Sequence, residues 1–120
     1  MSIKPNAMTT FVVPTLEALR IAGVVRLSGR DAAAFAQSQF ANDLRPLKDG
    51  QWQWNLWLSP KGRVLALFAL LRINAEDFLA ILPDASPAWF AQELLRFRFR
   101  SKVEIAPVEN CVARGGFLAP

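Results

Sequence analysis

The sequence has no histidine and one cysteine, Cys111, in 120 residues. Without imidazole, the usual zinc sites and His-based acid–base catalysis are excluded for this chain. A single cysteine closes no internal disulfide and builds no Cys-clustered metal site. There is no glycine-rich loop of the kind that cradles phosphate, no nucleophile elbow and no metal-ligand spacing. Long hydrophobic runs are missing as well, none approaching the roughly 18 residues of a membrane span. The N-terminus carries Lys4 with no apolar segment behind it, so no signal peptide is expected and the cytoplasm is the expected compartment. Internal repeats and low-complexity segments are absent.

What is present is apolar and mildly basic. Hydrophobic residues make up 52% of the chain, and the mean hydropathy is +0.20. This is high for a small soluble monomer and points to apolar surface meant for a partner or for further chain. Fourteen Lys and Arg against ten Asp and Glu give a net charge of +4. That balance suits an anionic ligand or nucleic acid, and equally a solvated basic face.

The length allows one domain, and its most legible stretch runs from Gln51 to Ile73. Trp52, Trp54, Leu56 and Leu58 alternate with Gln51, Gln53, Asn55 and Ser59, the period of a half-buried strand. Ser59-Pro60-Lys61-Gly62-Arg63 is a turn. Val64 to Leu71 contains no polar residue, which predicts a strand covered on both faces and a hairpin central to the sheet. Before it, Phe11-Val12-Val13 reads as a short edge strand and Ile21–Ser28 as a second strand. A helix follows, N-capped by Asp31, with Ala33, Ala36 and Phe40 inward and an end near Asn42-Asp43. After it, Phe78–Leu82 is a strand and Ser86-Pro87 opens a helix striped by Phe90, Leu94 and Phe97. Phe97–Val103 alternates and should enter a last strand through Ile105. The fold class is therefore α+β, a predominantly antiparallel sheet with two helices in the order β-β-α-β-β-β-α-β. A flexible tail at 1–10, a domain at 11–107 and an irregular tail at 108–120 are expected.

Three polar clusters could carry chemistry. Gln37, Gln39, Asn42 and Asp43 crowd the first helix end, where they either orient a heterocycle or cap and solvate the helix. Lys61 and Arg63 at the hairpin tip could meet carboxylate or phosphate, or keep a turn soluble. Arg98, Arg100 and Lys102 would share one face of the emerging strand, as an anion stripe or a charged edge against aggregation. Among the tryptophans, Trp52 and Trp54 fall on the apolar face and belong to the core. Trp57 stands on the polar face and is the aromatic expected to meet a ligand or an interface.

Leu27-Ser28-Gly29-Arg30-Asp31-Ala32, Phe35 to Gln39 and Asn42-Asp43-Leu44 resemble the N-terminal signature of the YgfZ-type folate-binding proteins, relatives of the glycine-cleavage T-protein, an aminomethyltransferase. Ser59-Pro60-Lys61-Gly62-Arg63-Val64 and Phe99-Arg100-Ser101-Lys102-Val103 resemble two further family stretches, in order. The resemblance spans about residues 20 to 105. It implies one half of a two-halved fold built around tetrahydrofolate, and a role in iron–sulfur cluster assembly or repair that affects tRNA modification. On that basis Asn42 and Asp43 would bond the pterin, Trp57 would stack on it, and Lys61, Arg63, Arg100 and Lys102 would hold the glutamate tail.

Two departures qualify the resemblance. Where the T-protein has acidic residues beyond its hairpin glycine, this chain has Ala66 and Leu67, so aminomethyltransferase activity is not expected. The reactive Lys-Gly-Cys run of the YgfZ-type proteins has no counterpart, since Asn110-Cys111-Val112 does not match it. The chain looks like the first part of a longer protein. Its expected partners are a folate-type small molecule, a second copy in a homodimer with Trp57 and the Phe97–Val103 strand at the interface, and iron–sulfur proteins; no membrane is expected, and nucleic acid is not the favoured partner. The alternatives are a small RNA-binding module and a ligand-free dimerisation domain.

Overall fold

The computed structural model describes residues 23–108. The expected tail at 1–10, the edge strand at Phe11–Val13 and Cys111 lie outside the described residues. Within them the order is β1 (Gly23–Ser28), α1 (Ala32–Gln39), β2 (Trp52–Leu58), β3 (Val64–Asn74), β4 (Asp77–Leu82), α2 (Pro87–Leu95) and β5 (Glu104–Pro107). The strands form one antiparallel sheet in the order β2-β3-β4-β1-β5. The α+β class and the two helices are as expected.

The hairpin at 51–73 is not central. Among the described residues β4 is the middle strand and β2 an edge. The reason lies in side-chain burial: every residue of β4 from Phe78 to Leu82 is buried, whereas β3 leaves Val64 and Leu67 about half exposed. The unbroken apolar run of β3 is covered on both faces only around Phe68, Ala69 and Leu70.

Both helices pack on one face of the sheet. That face gathers Val25, Leu27, Phe68, Leu70, Phe78, Ala80 and Leu82 beneath Phe35, Ala36, Phe90 and Leu94. The other face gathers Val24, Trp52, Ala69, Leu79 and Ile81, with Trp54 and Leu71 against them. Alternation along β2 is real, but its inner side is the opposite of the one expected. The helix-bearing core takes Asn55 and Trp57, and Trp52 and Trp54 fall on the second face. Large aromatics on both parities mean that both faces bury apolar area, so a polar residue in that run does not mark solvent.

Local chemistry sets the element ends. Ser86 caps α2, its Oγ accepting from Trp89 N–H at 3.2 Å, with Pro87 at the first helical position, where its missing donor costs nothing. The hairpin tip closes by Ser59 N–H to Arg63 C=O at 2.8 Å and Gly62 N–H to Ser59 C=O at 2.8 Å, with Gly62 at φ +84°. Asp31 is not the side-chain cap expected for α1: its carboxylate makes no capping bond. It accepts instead from Lys102 N–H at 2.7 Å, while Asp31 N–H donates to Lys102 C=O at 3.1 Å. This reciprocal pair ties the start of α1 to the segment before β5.

Gly29 shapes the same junction. It sits at φ +134°, and an added Cβ would lie 2.3 Å from the Lys102 carbonyl oxygen. Both the dihedral and the backbone contact penalise a side chain there. Gly29→Ala should therefore lower the unfolding free energy by at least about 2 kcal/mol in a denaturant titration. A midpoint indistinguishable from the parent chain would mean that the turn relaxes freely.

Candidate functional site

The sequence-expected site residues fall in two groups on opposite margins of the sheet. Asn42 and Asp43 lie beside β2, because the chain leaving α1 joins that edge: Phe40 bridges Trp57 and Ala41 N–H donates to Leu56 C=O at 2.9 Å. Lys61 and Arg63 are exposed at the tip joining β2 to β3. Arg100 and Lys102 stand on the other margin, ahead of β5. Four strand-to-strand steps at about 4.8 Å put the margins on the order of 20 Å apart. The tip and the Arg100–Lys102 segment are also at opposite strand ends, since Glu104 pairs with Ser28, Ser28 with Asp77 and Asp77 with Asn74, the far end of β3 from Val64. Lys61, Arg63, Arg100 and Lys102 thus do not converge on one carboxylate.

The β2 margin is a polar network with Asn55 at its centre, a residue that sequence reasoning placed in solvent. Asn55 is completely buried. Its Oδ1 accepts from Asn42 N–H and Leu56 N–H, both at 2.8 Å. Its Nδ2 donates to Gln53 Oε1 at 2.7 Å and to Asn42 C=O at 3.3 Å. Asn42 in turn donates from Nδ2 to Trp54 C=O at 2.7 Å. Gln37 spans the next turn, accepting from Leu44 N–H at 2.9 Å and donating to Asp43 at 3.1 Å.

Asp43 is exposed and forked by Arg45, whose Nε and Nη2 each lie 2.9 Å from its oxygens. Those bonds and the Arg45 N–H hold the Asp43 carboxyl far below the usual carboxylate range. It stays anionic through any physiological pH and can act only as a hydrogen-bond acceptor there.

Trp57 does not serve this surface. It is 3% exposed, with Phe90, Trp89 and Phe97 at ring-centroid distances of 5.6, 6.0 and 6.1 Å. The expected stacking on a ligand and the expected place at an interface are both corrected: the ring is inside because β2 turns this parity toward the helices.

The β5 margin differs from expectation too. Residues 97–103 form no strand. α2 unwinds through successive turns, Phe97 N–H to Leu94 C=O at 2.9 Å, Arg98 N–H to Leu95 C=O at 3.2 Å and Ser101 N–H to Arg98 C=O at 2.8 Å. Phe99 has φ +49°, which breaks any extended run. The segment instead walls a cleft of about 1140 Å³ whose lining includes Arg98, Arg100 and Lys102 together with Gly29 and Arg30. Alternating Phe and Arg imitates a strand pattern, so the sequence signal pointed at the right residues with the wrong geometry.

Among the described residues, no group of three His, Cys, Asp or Glu is placed to hold a metal ion. Nor is any of their helices long and apolar enough to cross a membrane. Ala66, one of the two residues standing where the resemblance implies acid, is buried opposite Trp57 in the β2–β3 ladder.

No family profile matches the chain. It is 31% identical over 75 residues to an aminomethyltransferase of Chlorobium phaeobacteroides, covering 59% of this chain and 20% of that protein. With the aminomethyltransferase of Pelodictyon phaeoclathratiforme the identity is 36% over 74 residues, covering 58% and 20%. The chain thus spans about a fifth of the length of the curated relatives it matches. Among solved structures, it superposes on the glycine cleavage system aminomethyltransferase T from Bartonella henselae with a TM-score of 0.67 at 19% identity, covering 82% of this chain and 30% of that one. The chain is similar at low identity to part of these aminomethyltransferases, and it shares the fold of the matching part of the solved aminomethyltransferase T.

Proposed function

We propose that this chain is a tetrahydrofolate-binding, non-catalytic portion of a YgfZ-type protein that supports iron–sulfur cluster assembly or repair and, through it, tRNA modification. The observation that carries this reading is the aminomethyltransferase fold joined to the organised polar margin at Asn42, Asp43 and Asn55. A pterin ring presents N–H donors and ring acceptors; the exposed Asp43 carboxylate answers the first and the exposed Asn42 carboxamide the second, while buried Asn55 holds the turn that carries them. Lys61 and Arg63, exposed at the tip beyond the other end of β2 from Asp43, are the cations proposed for a glutamate tail. Arg100 and Lys102 leave that assignment because they stand across the sheet. Trp57 leaves it because it is core. The Ala66–Leu67 departure supports binding without methylene transfer. A homodimer stays part of the proposal, with light scattering as its test; neither Trp57 nor a strand at 97–103 is there to build its interface.

Calorimetric titration of the full chain with tetrahydrofolate tests the reading. Loss of a charge-assisted hydrogen bond in Asp43→Ala should weaken binding about tenfold or more. The double change Lys61→Ala with Arg63→Ala, acting through exposed charges, should weaken it only a few-fold, and less at high salt. No binding by the parent chain, or equal binding by Asp43→Ala, would reject the proposal.

A further inference from the structure

Eleven lysines and arginines lie among residues 23–108. Four of them are ion-paired: Arg26 with Asp77, Arg45 with Asp43, Arg72 with Asp49 and Arg96 with Glu93. Of the other seven, four line one cleft: Arg30, Arg98, Arg100 and Lys102. Among the described residues Glu104 is the one acid in that lining. In the same wall Phe99 is 87% exposed, the one non-glycine residue with positive φ among those described. The Arg100 guanidinium lies 5.3 Å from its ring centroid. The Asp31–Lys102 pair fastens this wall to the start of α1, so the backbone that carries these side chains is braced at Lys102.

We infer that this cleft binds single-stranded nucleic acid, with phosphates on Arg30, Arg98, Arg100 and Lys102 and a base stacked on Phe99. The inference goes beyond the folate reading and does not rest on it, since it uses the opposite margin of the sheet. Cations alone would suit any polyanion. The discriminating feature is the aromatic face presented among them, because a stacking platform beside a phosphate-tracking groove is how unpaired bases are held without sequence readout. A carboxylate-rich peptide would have no use for the ring, and a duplex keeps its bases out of reach of it. Guanidinium groups add a second planar surface against a base and paired donors to phosphate.

Fluorescence anisotropy of a labelled oligouridylate of about twelve nucleotides, within the site sizes of such grooves, tests this with the full chain. Three or four phosphate contacts on a single strand predict a slope of about −2 to −3 in log affinity against log salt. Phe99→Ala should weaken binding by about five- to a hundredfold while leaving that slope unchanged, and Phe99→Trp should restore it. Arg98→Ala with Arg100→Ala should weaken binding and reduce the slope by about 1.4. All of these residues are exposed, and a thermal melt matching the parent confirms that the fold is kept. Lys48→Ala, an exposed lysine outside the cleft, should leave oligonucleotide affinity and slope unchanged. The inference is overturned by salt-insensitive binding, by no binding at about 20 mM salt, where the ionic contribution is strongest, or by equal binding of a duplex. It is equally overturned if Phe99→Ala has no effect, or if tetrahydrofolate competes for the cleft and Phe99→Ala abolishes folate binding.

Discussion

Trp57→Ala is expected to lower the unfolding free energy by about 3–5 kcal/mol, the usual range for removing a large aromatic from a packed core. The ring is the meeting point of elements far apart in sequence: β2 supplies it, α2 supplies Trp89 and Phe90, and the turn after α2 supplies Phe97. Phe40, bridged to it through the backbone, itself packs edge-on to Phe68 at 4.7 Å and stacks with Phe90 at 6.2 Å. An alanine there leaves a cavity that these rings can only partly fill, so the loss exceeds the transfer of the side chain alone. Trp57→Phe keeps most of the volume and should cost about 1–2 kcal/mol. A urea titration of both variants, with a ligand titration of Trp57→Phe, separates packing from recognition. If Trp57 stacked on a ligand, the alanine variant would be nearly as stable as the parent and lose affinity. A stability change under about 1 kcal/mol, the scale of a surface substitution, would contradict its place in the core.

The fold class was legible because it rests on local signals that packing seldom overrides. Ser86-Pro87 opens a helix, Pro60 to Gly62 turns a hairpin, and the period of two along 51–58 marks a strand. What could not be read was which face of each strand becomes the core. Gln53, Asn55 and Trp57 looked like the wet side of β2, but the helices land on that side, and the tryptophans at 52 and 54 cover the other. The signal that could have found it was the coexistence of tryptophans on both parities. A strand wet on one side does not place a large aromatic there.

The candidate site shows the same division between residue identity and placement. Asn42, Asp43, Lys61, Arg63, Arg100 and Lys102 are all exposed, as binding residues must be. Their partition across two margins depends on strand order, and strand order is set by long-range pairing that no local pattern encodes. The break at Phe99 shows it most sharply. Phe97-Arg98-Phe99-Arg100 alternates well enough for a strand, yet among the described residues it pairs with no strand, and the sequence carries no trace of the Asp31–Lys102 tie at the end of this turn segment. Asn55 escaped for a related reason: a buried carboxamide is recognised by its partners, and two of its four bonds are to the backbone of Asn42, in a turn thirteen residues away.

Those partners make Asn55→Ala the second large effect, an expected loss of about 2–4 kcal/mol. The substitution removes one acceptor that serves two backbone donors, Asn42 N–H and Leu56 N–H. Each donor left without a partner in the interior costs about 1–3 kcal/mol. Water entering the vacated space could satisfy part of that demand, which is why the expected total falls below the simple sum. Asn55→Asp separates the acceptor from the donors. It keeps the oxygen that Asn42 and Leu56 need but loses the two bonds donated by Nδ2 to Gln53 and Asn42 C=O, and it brings an ionisable group into a fully buried position. Burial raises a carboxyl pKa above its unfolded value. The folded state then binds more protons than the unfolded one above that unfolded pKa, so stability falls as pH rises through and beyond about 4. The aspartate variant should therefore approach the parent in acid and lose ground at neutral pH, while the alanine variant should stay equally far below it at both. Guanidinium titrations at acid and neutral pH read this directly, and parallel pH profiles for the two variants would show that the carboxamide is not the hinge of the β2 margin. Because the same bonds hold Asn42 and the turn bearing Asp43, either variant should also weaken tetrahydrofolate binding. An Asn55→Ala chain that is destabilised yet binds as the parent does would place the folate elsewhere.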